Sequence, residues 1–369
     1  MSLETRVTRA WERQALWLWL LLPVSWLYGL LITLRQLLYK TGVLSSYRAP
    51  IPVMVIGNIT VGGSGKTPLI LRLVQYLQQH GVCVGVISRG YGGDSTQMPA
   101  LVTKDSKPSV VGDEPCLIVN MTDVPMAVSP NRKQAIEVLL QAYPDLQLII
   151  ADDGLQHYAL QRDVEWIVVD TSRGFGSRQL LPTGFLREPM SRLNDATVIY
   201  HKTPEQVSSD HKLKPEHSAK QLTMHLYPDT LSPLWFDANS AQNPAPTAGS
   251  QVHAVSGIGY PQRFFNTLID LGFEVIAHPY PDHYDFSLTE LLQYTEHPIV
   301  VTSKDAVKIR ALLGQAESQQ TPMTEWQELA RRLWILPVTA MLSENCYQTL
   351  NEQLEALGVV VNDVKDGQG

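Results

Sequence analysis

The fold is decided by the stretch Val53–Thr67, VMVIGNITVGGSGKT, in which an apolar run stops in a glycine-rich loop. Val53–Ile56 has the length and the β-branched content of a buried strand, and Leu69–Leu77 has the apolar period of a helix. Pro68 suits the first turn of that helix, where a missing N–H costs little. Strand, glycine loop and helix in this order form a phosphate-binding loop (P-loop). The sequence therefore predicts an α/β fold built on a P-loop NTPase-type parallel sheet.

The loop residues indicate which ligand it takes. Glycines let backbone N–H groups face an anion, the lysine reaches the outer phosphates, and the threonine hydroxyl ligates magnesium. We therefore predict ATP and Mg²⁺ as cofactors. The predicted nucleotide-binding residues are Thr60, Val61, Gly62, Gly63, Ser64, Gly65, Lys66 and Thr67. Thr60 stands where the general pattern GxxxxGK[ST] has its first glycine. The alternative, an ordinary glycine turn with an exposed lysine, is disfavoured by the flanking strand and helix.

Composition limits the class of protein. A chain of 369 residues suggests two domains, and 44% hydrophobic content indicates a sizeable core. The formal net charge is −7 and the pI is about 5.8, so no global basic field indicates a nucleic-acid partner. The three cysteines match neither a metal-site spacing nor a disulfide framework, which favours a reducing cytosol.

The N-terminal segment is apolar enough to meet a membrane. No charged residue lies between Arg13 and Arg35, and Ala15–Leu34 as a helix would be about 30 Å long, the thickness of a bilayer core. Its aromatic residues are spread along it, whereas a spanning helix tends to hold them at the two interfaces. We predict a membrane-associated helix within residues 1–40, on the cytosolic side where nucleotide is found. Spanning and interfacial placements both stay open, and the alternative is a buried core helix.

Polar residues follow the next predicted strands. Leu146–Ala151 is an apolar run that ends in Asp152 and Asp153, the form of the second nucleotide-site strand whose carboxylate assists magnesium. Gln156 and His157 come directly afterwards and are expected in the same crevice, although a surface histidine is an equal alternative. Parallel sheets bind ligands at these carboxyl ends. The carboxylates of Asp113 and Glu114 precede a short apolar segment, which alone is a weak signal.

The rest of the chain predicts a second, smaller α/β domain. Val198–Tyr200 is expected to close the first strand set, and polar segments at Ser208–Gln221 and Asp237–Gln251 flank a change of domain. Strands and helices then alternate again, with Leu333–Val338 as the last strand. We predict three parts: the helix at 1–40, the P-loop domain at 41–222 and the smaller domain at 223–369. An arginine-rich loop at Ser172–Leu193 suits an anionic amphiphile or a membrane surface.

The motifs together resemble one family, the tetraacyldisaccharide 4′-kinases (lipid A 4′-kinases) of Gram-negative bacteria. The resemblance covers nearly the whole chain. It rests on GNITVGGSGKTP, SRGYGG, VGDEP, ADDGLQH, RGFG with LLPTGFLREP, SGIGYPQRF, PDHYDF and TSKDAV in this order. It implies transfer of the ATP γ-phosphate to the 4′-hydroxyl of tetraacyldisaccharide 1-phosphate, in lipid A biosynthesis at the cytoplasmic face of the inner membrane.

The resemblance also assigns roles. It implies that Asp113 takes the hydroxyl proton with the help of His283, and that Lys66 is the third catalytic residue. Metal binding falls to Thr67, Asp152 and Asp153, with the nearer of the two aspartates left open. The implied substrate contacts are Gln156, His157, Glu188 and Arg132, the last or its neighbour Lys133 facing the 1-phosphate. Thr60 agrees with the family rather than with the general loop.

One rival function belongs to another class of protein, a membrane-tethered P-loop ATPase switch or targeting factor. A GTPase form is disfavoured because Thr302–Asp305 is not a proper NKxD guanine reader and Asp153-Gly154 gives no DxxG motif. The two functions differ in product, since a switch releases phosphate and a kinase yields a phospholipid. Acyl-chain preference and oligomeric state stay open.

Overall fold

A computed structural model describes residues 7–8, 10–11, 13–203, 206, 221–235, 244–318 and 323–362. Most of the two predicted polar segments, 208–220 and 237–243, lies outside these residues. The strands form one nine-stranded and one five-stranded sheet. They are Val53–Gly57 (β1), Val84–Ser88 (β2), Ala100–Val102 (β3), Met126–Val128 (β4), Leu148–Asp152 (β5), Val164–Asp170 (β6), Thr197–His201 (β7), Leu222–Pro228 (β8), Ser232–Pro233 (β9), Gln251–Ser256 (β10), Glu274–Pro279 (β11), Ile299–Thr302 (β12), Leu333–Leu336 (β13) and Val338–Leu342 (β14).

Helices cover both sheets. The α-helices described are Leu22–Lys40 (α1), Lys66–Gln79 (α2), Pro108–Val111 (α3), Asp113–Thr122 (α4), Arg132–Ala142 (α5), Pro261–Asp270 (α6), Leu288–Leu292 (α7), Ser303–Ser318 (α8), Met323–Arg332 (α9) and Glu344–Glu355 (α10). Short 3-10 helices occupy Leu16–Leu21, Ser95–Gln97 and Met190–Asp195. This mixed architecture confirms the predicted fold class.

The P-loop strand lies in the middle of the larger sheet. The strand order is β14-β8-β7-β6-β1-β5-β2-β4-β3, and β1 pairs in parallel with β5 on one side and β6 on the other. Every residue of β1 is buried, because helices pack on both faces of such a sheet and its strands read as continuous apolar runs. The carboxyl ends of β1, β5 and β2 therefore meet at one edge.

Two strand predictions were wrong. Val198–Tyr200 does not close the larger sheet, because β8 pairs in parallel with β7 and β14 pairs antiparallel with β8. Leu333–Val338 is not one strand: β13 pairs with β12 in the smaller sheet, and β14 joins the larger one. Pro337 separates them, since a proline cannot donate a ladder hydrogen bond. The larger sheet thus takes strands from beyond residue 222, and the division at 40/41 and 222/223 stays a prediction.

The smaller sheet is also mainly parallel. Its order is β11-β10-β12-β13-β9, with β11, β10, β12 and β13 parallel. The loop after β11 carries His283, and helix α8 begins at Ser303 directly after β12. Gly259, in the loop after β10, lies against the P-loop, where a Cβ would stand 3.2 Å from the backbone nitrogen of Gly63. The carboxyl edges of the two sheets therefore face each other across one cleft.

The N-terminal helix has two different faces. Leu16–Lys40 is long and apolar enough to cross a membrane, and only 11% of its most apolar stretch is buried. On one side Ser25 Oγ lies within hydrogen-bond distance of the Leu180 carbonyl (3.0 Å) and the Thr183 hydroxyl (2.8 Å), and Tyr28 donates to the carbonyl of Arg187 (3.2 Å). The opposite face exposes its large apolar side chains. The mostly exposed surface argues against the core-helix alternative.

Candidate active site

The P-loop follows β1 and ends where helix α2 begins at Lys66. Gly62 and Gly65 have φ values of +95° and +94°, a left-handed conformation that favours glycine. Thr60 is not among the positive-φ residues of the described chain; its backbone instead forms an antiparallel bridge with Leu186. An extended residue carries a side chain without strain, which explains why threonine replaces the usual glycine here.

Lys66 is held between two side chains at the mouth of the loop. Its Nζ donates to Asn58 Oδ1 at 3.1 Å and forms an ion pair with Asp153 Oδ1 at 3.4 Å. Asn58 is fully buried and also donates to the Thr60 hydroxyl and the Gly62 carbonyl, both at 3.2 Å. Asn58 therefore fixes both the loop backbone and the direction of the lysine side chain.

Asp152 ends β5 beside the P-loop strand. Its carboxylate is 2% exposed and accepts a hydrogen bond from Ser88 Oγ through Oδ2 at 3.1 Å. Its Oδ1 is buried and has no hydrogen-bond partner within the described chain. Burial raises the pKa of Asp152, and the nearby carboxylates of Glu114 and Asp153 add to the rise. Such a carboxylate needs a positive partner.

A magnesium ion fits this arrangement. The unpartnered oxygen of Asp152 is a hard ligand of the kind that Mg²⁺ prefers, and Thr67 stands at the start of α2 on the neighbouring strand's loop. In the described ranges no three or more His, Cys, Asp or Glu side chains cluster as a metal cage. Nucleotide-bound magnesium needs no such cage, because it is usually held by one or two carboxylates together with phosphate oxygens and water.

Asp113 and His283 meet across the cleft from different sheets. Asp113 opens helix α4 and is 3% exposed, and the Nδ1 of His283 lies 3.1 Å from both of its carboxylate oxygens. Burial alone would raise the pKa of Asp113, but the hydrogen bond from His283 and the charges of Lys304 and Lys308 lower it to about 2. The structure therefore joins the two residues that the sequence placed 170 positions apart.

Two lysines of helix α8 surround this pair. Lys304 Nζ lies 3.1 Å from Glu114, 3.3 Å from Asp282 and 3.9 Å from Asp113. Lys308 Nζ, one turn further, lies 3.6 Å from Asp113 and donates to the Tyr284 carbonyl at 3.0 Å. The cluster carries two cations that keep the Asp113 carboxylate charged.

Gln156 and Glu188 belong to a chain of hydrogen bonds that begins on the N-terminal helix. Gln36 Nε2 donates to Glu188 Oε2 at 3.0 Å, and Gln156 Nε2 donates to Glu188 Oε1 at 2.8 Å. Arg187 then donates to Gln156 at 3.1 Å and to Asp153 at 2.9 Å. Burial raises the pKa of Glu188, whose side chain is fully covered. These residues connect helix α1 to the aspartate that pairs with Lys66.

His157 and Arg132 occupy different environments. His157 is half-buried, and burial together with nearby arginines lowers its pKa to about 4, so it is a neutral ring at neutral pH. Arg132 is only 3% exposed and donates to the carbonyls of Ser129 (3.0 Å) and Asp152 (3.1 Å). Through these two hydrogen bonds the Arg132 guanidinium holds the end of β5 in place. The geometry therefore disfavours direct contact between Arg132 and a substrate phosphate, whereas Lys133 is exposed.

The loop at Ser172–Leu193 was expected to suit an anionic amphiphile or a membrane surface, and three of its four arginines have partners within the protein. Arg187 pairs with Asp153, and Arg192 pairs with Glu165 and Glu188. Arg173 donates to the Val61 carbonyl and lies over the Phe185 ring. These cations are used within the protein because buried carboxylates and the P-loop backbone lie within their reach. Arg178 is the exposed one.

Sequence reasoning missed three residues of this site: Asn58, Arg187 and Lys304. Each lies within a motif that was recognised. The partners of Arg187 and Lys304 are far away in the chain, whereas Asn58 contacts nearby residues of the loop itself. Lys304 was weighed only as part of a guanine reader, although the TSKDAV motif placed it at a strand end. The strand-end rule applied to the second sheet could have found it.

Comparison with known proteins agrees with this geometry. A family model described as tetraacyldisaccharide-1-P 4′-kinase matches residues 17–355. The tetraacyldisaccharide 4′-kinase of Psychrobacter cryohalolentis is 69% identical over 98% of this chain and 99% of its own, and that of Psychrobacter arcticus is 66% identical over 98% of each. The crystal structure of LpxK from Aquifex aeolicus in complex with ATP has a TM-score of 0.68 and covers 93% of this chain and 99% of that one. At 24% identity it supports the fold alone. The family match and the close relatives show that this chain belongs to the tetraacyldisaccharide-1-P 4′-kinase family, a family of ATP-dependent kinases.

Proposed function

We propose that this protein transfers the γ-phosphate of ATP to the 4′-hydroxyl of tetraacyldisaccharide 1-phosphate, a step of lipid A biosynthesis. The observation that carries the proposal is the meeting of Asp113 and His283 in the cleft whose other wall is the P-loop. A nucleotide switch needs no carboxylate for an acceptor hydroxyl. A kinase needs one, beside the phosphate site and shielded from water.

The P-loop residues would bind the nucleotide. The backbone N–H groups of Gly62 to Gly65 surround the phosphates, and Lys66 leaves Asn58 and Asp153 to reach the outer phosphate oxygens. Thr67, Asp152 and Asp153 would hold Mg²⁺, which supplies neutralisation of the phosphate charge. Most of the catalytic effect in such a reaction comes from positioning and from charge stabilisation.

Asp113 would align the acceptor hydroxyl. With a pKa of about 2 it is a weak base, and an efficient general base has a pKa near the working pH. Phosphoryl transfer passes through a loose transition state in which bond formation to the acceptor is limited. The role that fits is acceptance of the hydroxyl hydrogen bond, with the proton moving to Asp113 late in the reaction.

Gln156, His157 and Glu188 would form the substrate side of the site, with Gln156 and His157 contacting the sugar or phosphate groups of the lipid and Glu188 holding Gln156 in place. Gln156 and Glu188 lie on the side of the site where helix α1 packs against residues 180–188. The fully covered carboxylate of Glu188 is oriented by Gln36 and Gln156, which favours a positioning contribution within this group. Arg132 contributes from below, through the backbone of Asp152.

Membrane attachment through helix α1 is the second part of the proposal. The helix docks on the protein through polar contacts, and its other face carries exposed apolar side chains, among them Trp26 (67% exposed) and Leu30 (64%). One covered face and one apolar face suit a helix lying in the interface at the cytoplasmic leaflet of the inner membrane. The partner there is the membrane surface.

Product analysis tests the activity. The full chain is incubated with γ-labelled ATP and tetraacyldisaccharide 1-phosphate, and we expect the label in the lipid fraction. Two controls are matched to the proposal: an acceptor whose 4′-hydroxyl is already blocked, and the Lys66→Ala variant. Label released only as free phosphate, with the same rate for both acceptors, would instead support the ATPase switch.

Vesicle flotation tests the attachment. Leu27 and Leu31, 56% and 55% exposed on helix α1, are changed together to glutamate, and we expect most of the protein to leave vesicles containing anionic lipid. The control is the double change Ile269→Glu and Leu271→Glu, two exposed apolar residues on the smaller domain (53% and 37%). Equal flotation of both variants would contradict attachment through helix α1.

A further inference from the structure

The ring of His283 has a close neighbour at each nitrogen. Nδ1 lies 3.1 Å from both oxygens of Asp113, and Nε2 lies 3.3 Å from the Nζ of Lys304. The Asp282 carboxylate is the next group, 3.9 Å from Nε2 and beyond hydrogen-bond distance. The Tyr91 ring packs on the imidazole with its centroid 4.7 Å away. The carboxylate can accept a hydrogen from the ring, whereas an ammonium group can only donate one to it.

The ammonium group of Lys304 determines the tautomer of His283. A charged lysine has three donors and no acceptor, so the Nε2 atom beside Lys304 must present its lone pair. Burial alone would lower the pKa of Lys304, but the carboxylates of Glu114, Asp282 and Asp113 outweigh burial and raise it. The lysine therefore stays charged and can only donate.

A neutral imidazole with a lone pair on Nε2 carries its hydrogen on Nδ1. That hydrogen points at Asp113, whose carboxylate accepts it. The other tautomer would set the Nδ1 lone pair against the carboxylate and the Nε2–H against the ammonium, and both contacts would be repulsive. We infer that Lys304 is a positioning residue that holds His283 in the Nδ1–H tautomer, so that the histidine orients Asp113 as a donor.

The placement of Lys304 in the fold supports this role. It lies in the first turn of helix α8, and its side chain is only 16% exposed. The same turn is anchored by Asp305, which accepts from the Thr302 hydroxyl at 2.7 Å and from the backbone N–H of Gly257 at 3.2 Å. Gly257 in turn accepts a hydrogen bond from the His283 N–H at 3.1 Å. The lysine and the histidine are therefore set by one rigid framework.

A consequence for proton movement follows, and it rests on the proposed function. When the acceptor oxygen bonds to the γ-phosphorus, the bond from that phosphorus to the β–γ bridging oxygen breaks and ADP leaves. The proton of the broken acceptor O–H bond goes to a carboxylate oxygen of Asp113. It cannot pass on to His283 at Nδ1, because that nitrogen already carries a hydrogen. The histidine thus acts by alignment, and the product proton leaves Asp113 by another route after transfer.

Nitrogen NMR of the histidine rings tests the inference without any turnover. The full chain is labelled with ¹⁵N-histidine, and the His283 signals are assigned by their loss in His283→Gln. We expect a protonated Nδ1 and an unprotonated Nε2 at neutral pH in the unaltered protein. In Lys304→Met we expect this preference to disappear or reverse, because Asp282 then becomes the group nearest to Nε2.

Two control variants separate the hydrogen bond from general charge effects. Lys308→Met removes a different cation, which lies 3.6 Å from Asp113. Glu114→Gln removes the shortest ion pair of Lys304 but leaves the Lys304 ammonium in place as a donor. We expect the Nδ1–H tautomer in both. Lys304→Arg, which also can only donate, should keep it, and this variant decides the matter if Lys304→Met does not fold.

Kinetics supply a second readout. We expect Lys304→Met to lower kcat by about tenfold with the KM for ATP unchanged, because alignment of Asp113 is lost while the P-loop is intact. An Nε2–H ring in the unaltered protein, an unchanged tautomer in Lys304→Met, or an equal change in Lys308→Met would each overturn the inference. Absence of lipid phosphorylation with the expected tautomers would instead overturn the proposed function alone.

Discussion

The two sheets build their halves of the site by different means. The larger sheet forms the phosphate half mainly with backbone: strand β1, two left-handed glycines and a helix N-terminus. The smaller sheet forms the acceptor half with charged side chains, among which His283 and Lys304 meet Asp113 across the cleft. The P-loop is made by consecutive residues whose backbone conformation tolerates few substitutions. The cluster of Asp113, His283 and Lys304 comes from three segments of the chain, and the loss of one side chain can leave part of its function. The two halves should therefore respond differently to substitution.

The phosphate half should show the largest loss. We expect Lys66→Ala to lower lipid phosphorylation by about 10³-fold, since one donor aimed at developing charge contributes about 3–4 kcal/mol to the transition state. The measurement is initial rate with labelled ATP. Lys104→Ala is the control, because that lysine pairs with Asp123 at the surface. A variant within tenfold of normal would mean that the loop is not the phosphate site.

Substitutions in the acceptor half should lower activity less, and their effects should be non-additive. We expect Asp113→Asn and His283→Ala each to lower kcat by about 10²-fold, in the usual range for an acid–base partner, with ATP binding retained. The double variant should be scarcely slower than the slower single variant, because groups that act together are non-additive. Steady-state kinetics of all four proteins gives the coupling. Fully multiplicative losses would mean that the two residues act independently.

This contrast also explains what could be predicted from the sequence. The P-loop, Asp152 at the end of β5 and helix α1 were predictable because each is encoded by consecutive residues with a characteristic period. The pairing of Asp113 with His283 came only from the family resemblance. Contacts such as Lys304 with Glu114 or Arg187 with Asp153 depend on side-chain reach in the folded chain, which no local pattern carries.

The strand errors have the same origin. Leu333–Val338 is apolar throughout, and its period gives no sign that β13 and β14 belong to different sheets. Only the pairing partners decide that, β12 for one and β8 for the other. Long-range pairing is a property of the whole fold, whereas Pro337 marks merely that a break is possible. The ion pairs of the arginine loop were not predicted either, because Arg187 and Arg192 find Asp153 and Glu165 34 and 27 residues away in sequence.

The support beneath the P-loop should make stability depend on pH. His201, at the end of β7, is 3% exposed, and its Nδ1 lies 3.0 Å from the Ser64 carbonyl oxygen. Burial and the charge of Arg263 lower its pKa to about 4, below the ordinary value of about 6.5. Between these values the unfolded chain binds a proton that the folded chain does not, so stability falls as pH drops from 6.5 to 4.

Denaturant unfolding at several pH values measures this effect. One proton accounts for at most about 1.4 kcal/mol per pH unit. We expect His201→Gln to unfold with a shallower loss of free energy between pH 6.5 and 4 than the unaltered protein. His80→Gln is the control, because that histidine is only half-buried at the end of helix α2. Parallel pH profiles for the His201 variant and the unaltered protein would contradict the assignment.

The smallest effect is expected where the P-loop departs from the general pattern. Thr60 needs no left-handed backbone, and its extended conformation is held by pairing with Leu186 and by the hydrogen bond from Asn58 to its hydroxyl. Restoring the usual glycine with Thr60→Gly should therefore gain nothing. We expect activity within about threefold of normal, a change of about 0.6 kcal/mol in the barrier, and a loss of about 0.5–1 kcal/mol of unfolding free energy from backbone entropy. Thr60→Ser keeps the hydroxyl and the β-carbon and should match the unaltered protein in both measurements. A marked rise in activity for Thr60→Gly would show that the threonine constrains the loop against phosphate, and the explanation from extended pairing would have to be abandoned.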